Sequence, residues 1–116
     1  MKERIGHIEI FVKDPLKSKK FYTDVLGFEL VEVQGDKFVW LKLGEGLVLL
    51  RPGKGTERGS VYQNANSAIV IYTDDADAAF EIYKKRGLKI TGLDTGMPVF
   101  TDLDGNWFQL VNPADH

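Results

Sequence analysis

Three side chains in this sequence could do chemistry at one site: His7, Glu9 and Gln109. His7 and Glu9 lie two residues apart in an alternating run, Ile5 to Val12, so on a strand they share a face. Imidazole can donate to a ligand or act as an acid or base. It can equally be a strand histidine bonded to a neighbour. A carboxylate amid apolar residues needs water or a partner. Glu9 therefore reads as a general base with a raised pKa, as an anchor for a cationic ligand, or as the salt-bridge partner of Arg51, Lys42 or Arg4. Gln109, between Phe108 and Leu110, can hydrogen-bond a ligand or pair structurally with His7, but it cannot act as a base. Phe38 and Trp40 alternate with Val39 and Leu41. If Val39, Leu41 and Leu43 are core, then Phe38, Trp40 and Lys42 line the opposite face, and with Trp107 they suit a flat or apolar ligand. The plainer reading is that these aromatics pack against one another or at a dimer contact.

The elements that must carry these residues repeat. Asp14–Leu30 and Asp74–Ile90 share a plan of acidic cap, amphipathic helix, glycine and apolar run. An offset of 60 relates Asp14 to Asp74, Gly27 to Gly87, Leu30 to Ile90 and Ile10 to Val70. Asp14-Pro15 opens the first helix, and Ser18, Phe21, Tyr22 and Val25 form its apolar stripe. Strands are expected at 28–33, 38–43 and 47–51. The second copy offers strands at 67–73, 88–91, 97–101 and 107–111. Its helix is capped by Asp74 or Asp75, with Ala76, Ala79, Phe80 and Tyr83 facing inward. Asp104-Gly105 marks a tight turn. The arrangement is one domain of 116 residues. Module one spans about 4–52, a Gly-rich flexible linker about 53–66, and module two about 67–113.

This plan resembles the vicinal oxygen chelate superfamily, which includes glyoxalase I, the bleomycin-resistance proteins and the extradiol dioxygenases. Phe21-Tyr22-Thr23-Asp24-Val25-Leu26-Gly27-Phe28 resembles its helix-to-strand signature. Asp102-Leu103-Asp104-Gly105-Asn106-Trp107-Phe108-Gln109-Leu110 resembles its closing hairpin, and Gly6-His7-Ile8 its opening strand. The resemblance implies an α+β fold of two tandem β-α-β-β-β modules forming a curved mixed-sheet cup. It also implies a homodimer and four metal-ligand positions. These fall on His7, on Val48 or Leu49, on Ser67 and on Gln109. Val48 and Leu49 cannot ligate, Ser67 is a poor ligand, and Gln109 replaces an acidic residue. One histidine and one neutral amide do not meet what a catalytic divalent cation requires.

The expected function is therefore binding or sequestration of a small organic molecule without a metal cofactor. His7, Glu9, Phe38, Trp40, Trp107 and Gln109 would form the ligand site, and His7 and Glu9 are the catalytic candidates. The alternative is a metal-dependent lyase, isomerase or dioxygenase that uses His7 and Gln109 as ligands. A net charge of -2 argues against nucleic acid. No run approaches the roughly 20 apolar residues of a membrane span. Absent cysteine excludes thiolate chemistry, and with no apolar leader at the start the expectation is a cytoplasmic protein. Asp102 and Asp104 look like the start of a calcium loop but lack its remaining ligands, so a turn is the better account. The second histidine, His116, is placed in a tail.

Overall fold

The computed structural model describes residues 2–54, 61–89 and 91–115. The chain divides into two compact units, 1–55 and 56–116. Each is a four-stranded mixed sheet with one α-helix, so the α+β class and the tandem β-α-β-β-β modules read from the sequence are observed.

In the first unit, β1 (Ile8–Val12) leads to α1 (Pro15–Lys20), β2 (Glu29–Gln34), β3 (Phe38–Leu43) and β4 (Gly46–Pro52). The sheet order is β1-β4-β3-β2. β1 runs parallel to β4, while β3 is antiparallel to β2 and β4. A parallel pair needs a crossover, which the helix and the β2–β3 hairpin supply. The Asp14 carboxylate accepts from the Lys17 N–H at 3.2 Å and Pro15 takes the first turn. α1 packs on β3 and β4, and Ile10, Val12, Val39, Leu41, Leu50 and Tyr22 are buried in that layer. Ile8, assigned to the same face by its spacing, is 45% exposed at the start of the edge strand.

The second unit repeats the plan. β5 (Ala68–Tyr72), α2 (Ala76–Lys85), β6 (Thr91–Asp94), β7 (Met97–Thr101) and β8 (Trp107–Val111) form a sheet of order β5-β8-β7-β6. Phe100 and Phe108 stack at 5.3 Å with an interplanar angle of 3°, and Tyr83 of α2 meets Phe100 edge-on at 5.5 Å. Burial raises the Tyr83 phenol pKa. This aromatic layer is the helix-facing core.

The two copies are not related by one constant offset. After the first residues of α1 the chain passes through a π-helical turn, Phe21–Val25, in which the Leu26 N–H reaches the Phe21 carbonyl at 3.3 Å. Such a turn holds one extra residue. In unit one the Phe28 N–H bonds to the Tyr22 carbonyl; in unit two the equivalent bond joins Leu88 to Tyr83. The spacing between copies is therefore 61 up to Tyr22 and 60 at Phe28, and it is 60 again along β4 and β8, where Leu50 and Leu110 pair with Ile10 and Ile71. Both helices stop at a left-handed glycine, Gly27 (φ 79°) and Gly87 (φ 110°).

Four expectations change. The helix cap equivalent to Asp14 is Asp75, whose carboxylate accepts from the Ala78 N–H at 3.0 Å, and not Asp74. Ile10 corresponds to Ile71 and not Val70: Ile10 pairs with Leu50, Ile71 pairs with Leu110, and both isoleucines are buried. The position equivalent to His7 is then Ala68, not Ser67. The strand expected at Leu88–Thr91 begins instead at Thr91, because Leu88 is buried closing the end of α2. Ile90 lies outside the described residues.

The stretch expected to be a linker is not all connector. Tyr62–Asn64 forms a 3-10 turn within the second unit, bonded to its sheet. Residues 55–60 and His116 lie outside the described residues. Among the described residues, no helix is long and apolar enough to cross a membrane.

Candidate functional site

In unit one the face opposite α1 carries His7, Glu9, Trp40 and Arg51. Strand alternation and register put Glu9 beside Leu49, Leu49 beside Trp40, and Phe11 beside Arg51. Leu49, not Val48, is therefore the residue of that pair on the face of Glu9 and Trp40.

Arg51 is the centre of this face. Its Nη1 donates to Glu9 Oε1 at 2.9 Å, and His7 Nε2 lies 3.1 Å from Glu9 Oε2. These two contacts hold the Glu9 pKa below its ordinary value near 4.5, the bond to His7 contributing most and that to Arg51 next. An ionised carboxylate only accepts hydrogen bonds, so the Nε2 of His7 carries the proton in this contact. The guanidinium lies 5.4 Å from the Phe11 ring centroid and 5.5 Å from that of Phe38, which come from the strands on either side of β4. Its Nε is buried and has no hydrogen-bond partner among the described residues. An orphan N–H of this kind costs about 1–3 kcal/mol.

The neighbouring aromatics are also held in place. His7 meets Trp40 edge-on at 4.8 Å. The Trp40 indole donates to Gln34 Oε1 at 3.0 Å, and Gln34 Nε2 donates to Glu32 at 3.1 Å. Phe11 lies against Gly53, where an added Cβ would stand 2.9 Å from Phe11 Cδ1 and 3.0 Å from its Cβ. The Gly53 N–H extends the ladder to the Val12 carbonyl at 3.0 Å.

The structure corrects the reading of Glu9 as a base with a raised pKa: the shift is downward. It also weakens Glu9 as an anchor for a cation, since Arg51 already neutralises it. Of the salt-bridge partners weighed from the sequence, Arg51 is the one observed. The importance of Arg51 was not read from the sequence beyond that pairing. The usable signal was its place at the end of β4, where alternation puts it on the face of Leu49.

In unit two, Trp107 and Gln109 occupy the corresponding face of β8. Tyr62 folds over them. Its ring meets Trp107 edge-on at 5.6 Å, and its hydroxyl donates to Gln109 Oε1 at 3.2 Å. Gln109 Nε2 reaches Asp94 Oδ2 at 3.5 Å, and Gln63 Nε2 donates to Asp94 Oδ1 at 2.6 Å. Burial, then the Asp94 charge, raises the Tyr62 pKa. Both ends of the Gln109 amide are thus engaged within its own unit. Trp107 is buried, and its Nε1 has no partner among the described residues. Asp102, also buried, accepts from the Asp104 and Asn106 N–H groups, both at 2.9 Å, and from Asn106 Nδ2 at 2.9 Å. Its carboxylate holds a turn.

The metal positions implied by the resemblance are, in observed register, His7, Leu49, Ala68 and Gln109. Leu49 and Ala68 carry no side-chain donor. His7 Nε2 is engaged by Glu9, and the Gln109 oxygen by Tyr62. No group of three or more His, Cys, Asp or Glu side chains that could hold a metal occurs among the described residues. This donor set does not fit a catalytic divalent metal.

Residues 4–110 match the family model described as the Glyoxalase/Bleomycin resistance protein/Dioxygenase superfamily. The uncharacterized protein YetH of Bacillus subtilis (strain 168) is 29% identical over 95% of this chain and 98% of its own length. Among solved structures, the fosfomycin resistance protein FosX from Listeria monocytogenes, complexed with Mn(II) and sulfate, aligns with a TM-score of 0.77. It shares 19% identity over 97% of this chain and 91% of its own. A lactoylglutathione lyase from Agrobacterium tumefaciens aligns with a TM-score of 0.69 and 17% identity, covering 97% of this chain and 95% of its own. At these identities the two structures speak for the fold alone.

Proposed function

Because the chain belongs to the glyoxalase/bleomycin resistance protein/dioxygenase superfamily, we propose that it binds a small organic molecule without a metal. The ligand lies on the face of the first sheet opposite α1, against Trp40, Phe38 and Phe11. The observation that carries this reading is the Arg51–Glu9–His7 chain. It commits the histidine of the first ligand position to a carboxylate while holding a guanidinium between two aromatic rings. Aromatic side chains supply contact area at low entropic cost, and a few fixed polar groups set orientation. Leu49, which has no donor where a ligating residue would stand, extends the apolar floor beside Trp40.

Two measurements test the reading. Flat aromatic compounds should quench tryptophan fluorescence, and the response should vanish in Trp40→Phe but persist in Trp107→Phe. Mn(II), Ni(II), Zn(II) and Fe(II) should leave the melting temperature unchanged. A metal-dependent rise that disappears in His7→Ala would return the chain to the metal-using enzymes, because a ligand that binds the folded state stabilises it by mass action. We also infer a homodimer, as the family resemblance implies; sedimentation giving a single 13.0 kDa species would oppose it.

A further inference from the structure

The charge balance around Arg51 restricts the ligand more narrowly. We propose that the first-sheet face selects an uncharged, planar carbonyl compound, and that the Arg51–Glu9 pair sets this selectivity. The inference rests on the reading of that face as the ligand site.

Arg51 and Glu9 cancel. The guanidinium donates to one carboxylate oxygen at 2.9 Å, and His7 engages the other at 3.1 Å. An arriving cation meets Arg51, and an arriving anion meets Glu9. Neither gains a free counter-charge, and both lose water. A neutral acceptor avoids that cost and still finds donors. Guanidinium has five N–H groups, and Arg51 uses one of them on Glu9. Its side chain is 39% exposed. Its Nε–H is buried and has no partner among the described residues, a donor that a carbonyl oxygen entering on the Nε/Nη2 edge would satisfy once a flanking ring turns aside.

The walls select flatness. Phe11 and Phe38 stand on the two strands that flank β4, each about one ring contact from the guanidinium. Phe38 is half-buried, whereas Phe11 is 42% exposed and is the ring able to turn aside as a ligand enters. A thin ring system fits between such walls where a bulky aliphatic group does not.

The test uses three probes of one shape on the whole chain: 1-naphthamide, 1-naphthoate and 1-naphthylmethylammonium. Affinity is read by calorimetry or by titrating backbone amide resonances, which also locates binding on β1, β3 and β4. The amide should bind at least about tenfold more tightly than either ion, a difference of about 1.4 kcal/mol. Removing one charge should switch the preference. Glu9→Gln leaves Arg51 uncompensated and should favour naphthoate. Arg51→Met leaves Glu9 uncompensated and should favour the ammonium. A purely structural role for the pair would weaken all three probes alike. If one variant fails to fold, the other still decides the outcome. An ion that binds as well as the amide to the parent chain, or a preference unmoved by either substitution, overturns the inference alone. Failure of all three probes to shift any resonance of the first sheet overturns the ligand-site reading beneath it.

Discussion

Gly53→Ala should destabilise the protein, although nothing in the backbone requires glycine there. Gly53 is not among the residues with positive φ, so a methyl group meets no conformational penalty. The obstacle is steric. The new Cβ would stand 2.9 Å from Phe11 Cδ1 and 3.0 Å from Phe11 Cβ. A ring can rotate away from the first contact, but the second involves an atom fixed to the β1 backbone. Overpacking of this kind costs about 1–3 kcal/mol, and the lower unfolded-state entropy of alanine returns about 0.4–1 kcal/mol. Taking the middle of each range, the net loss is about 1.3 kcal/mol, which for a chain of this length, at about 4 °C per kcal/mol, lowers Tm by about 5 °C. Thermal melts of the parent and four variants (Gly53→Ala, Gly6→Ala, Phe11→Ala and the double Phe11→Ala/Gly53→Ala) settle the matter. Gly6→Ala, where an added Cβ meets nothing within 4 Å, is the control and should be neutral or slightly stabilising. In a Phe11→Ala background the ring contact is gone but the Cβ contact at 3.0 Å remains, so Gly53→Ala should still destabilise, by less than in the parent. If Gly53→Ala melts at or above the parent temperature, the close approach of Phe11 to the chain at 53 is wrong. The placement of that ring beside Arg51 then fails with it.

Further outcomes follow from the same contacts. The folded state holds Glu9 below its ordinary pKa near 4.5, so its contribution is present above that pH and fades as pH falls through the lower folded value. Glu9→Gln should therefore flatten the acid limb of a stability–pH curve, and an unchanged limb would contradict the pairing. Tyr62 has the opposite sign: its raised pKa favours the neutral phenol in the folded state, so its contribution is full below pH 10.0 and is lost as pH rises through the folded value. Tyr62→Phe should remove this alkaline loss while costing about 0.5–1.5 kcal/mol at neutral pH for the bond to Gln109. Absorbance of tyrosinate against pH, with urea unfolding at each pH, reads both effects. Phe108→Ala opens a cavity beneath Phe100 and should cost about 3–5 kcal/mol in urea unfolding. A loss below 1 kcal/mol would mean that the stacked pair is not core.

Much of the architecture was legible in the order of residues. Strands at 38–43, 97–101 and 107–111 coincide with the observed β3, β7 and β8, because period-two patterning and turn residues bound them on both sides. The Asp14-Pro15 start and the Gly27 and Gly87 stops also acted locally, through groups within one helical turn. The alternation of Phe38 and Trp40 with the buried Val39 and Leu41 was visible for the same reason. The π-helical turn was not legible. One extra residue among Phe21–Val25 leaves an amphipathic pattern almost unchanged, yet it moves every equivalence before it by one. A one-residue shift in a strand exchanges its two faces, so Ser67 was read in place of Ala68.

His7, Glu9 and the aromatic strand were named by the sequence as residues on one face, since short-range periodicity decides which side of a strand a residue takes. Which of them touch was decided by tertiary pairing. Glu9 and Arg51 are 42 residues apart and meet only because β1 lies parallel to β4. That ladder places Phe11 on one side of the guanidinium and, through β3, Phe38 on the other. Tyr62 likewise reaches Gln109 across 47 residues. Chain distance hides such pairs. The hydrogen bonds of a sheet bring them together, and with them the charge balance around Arg51.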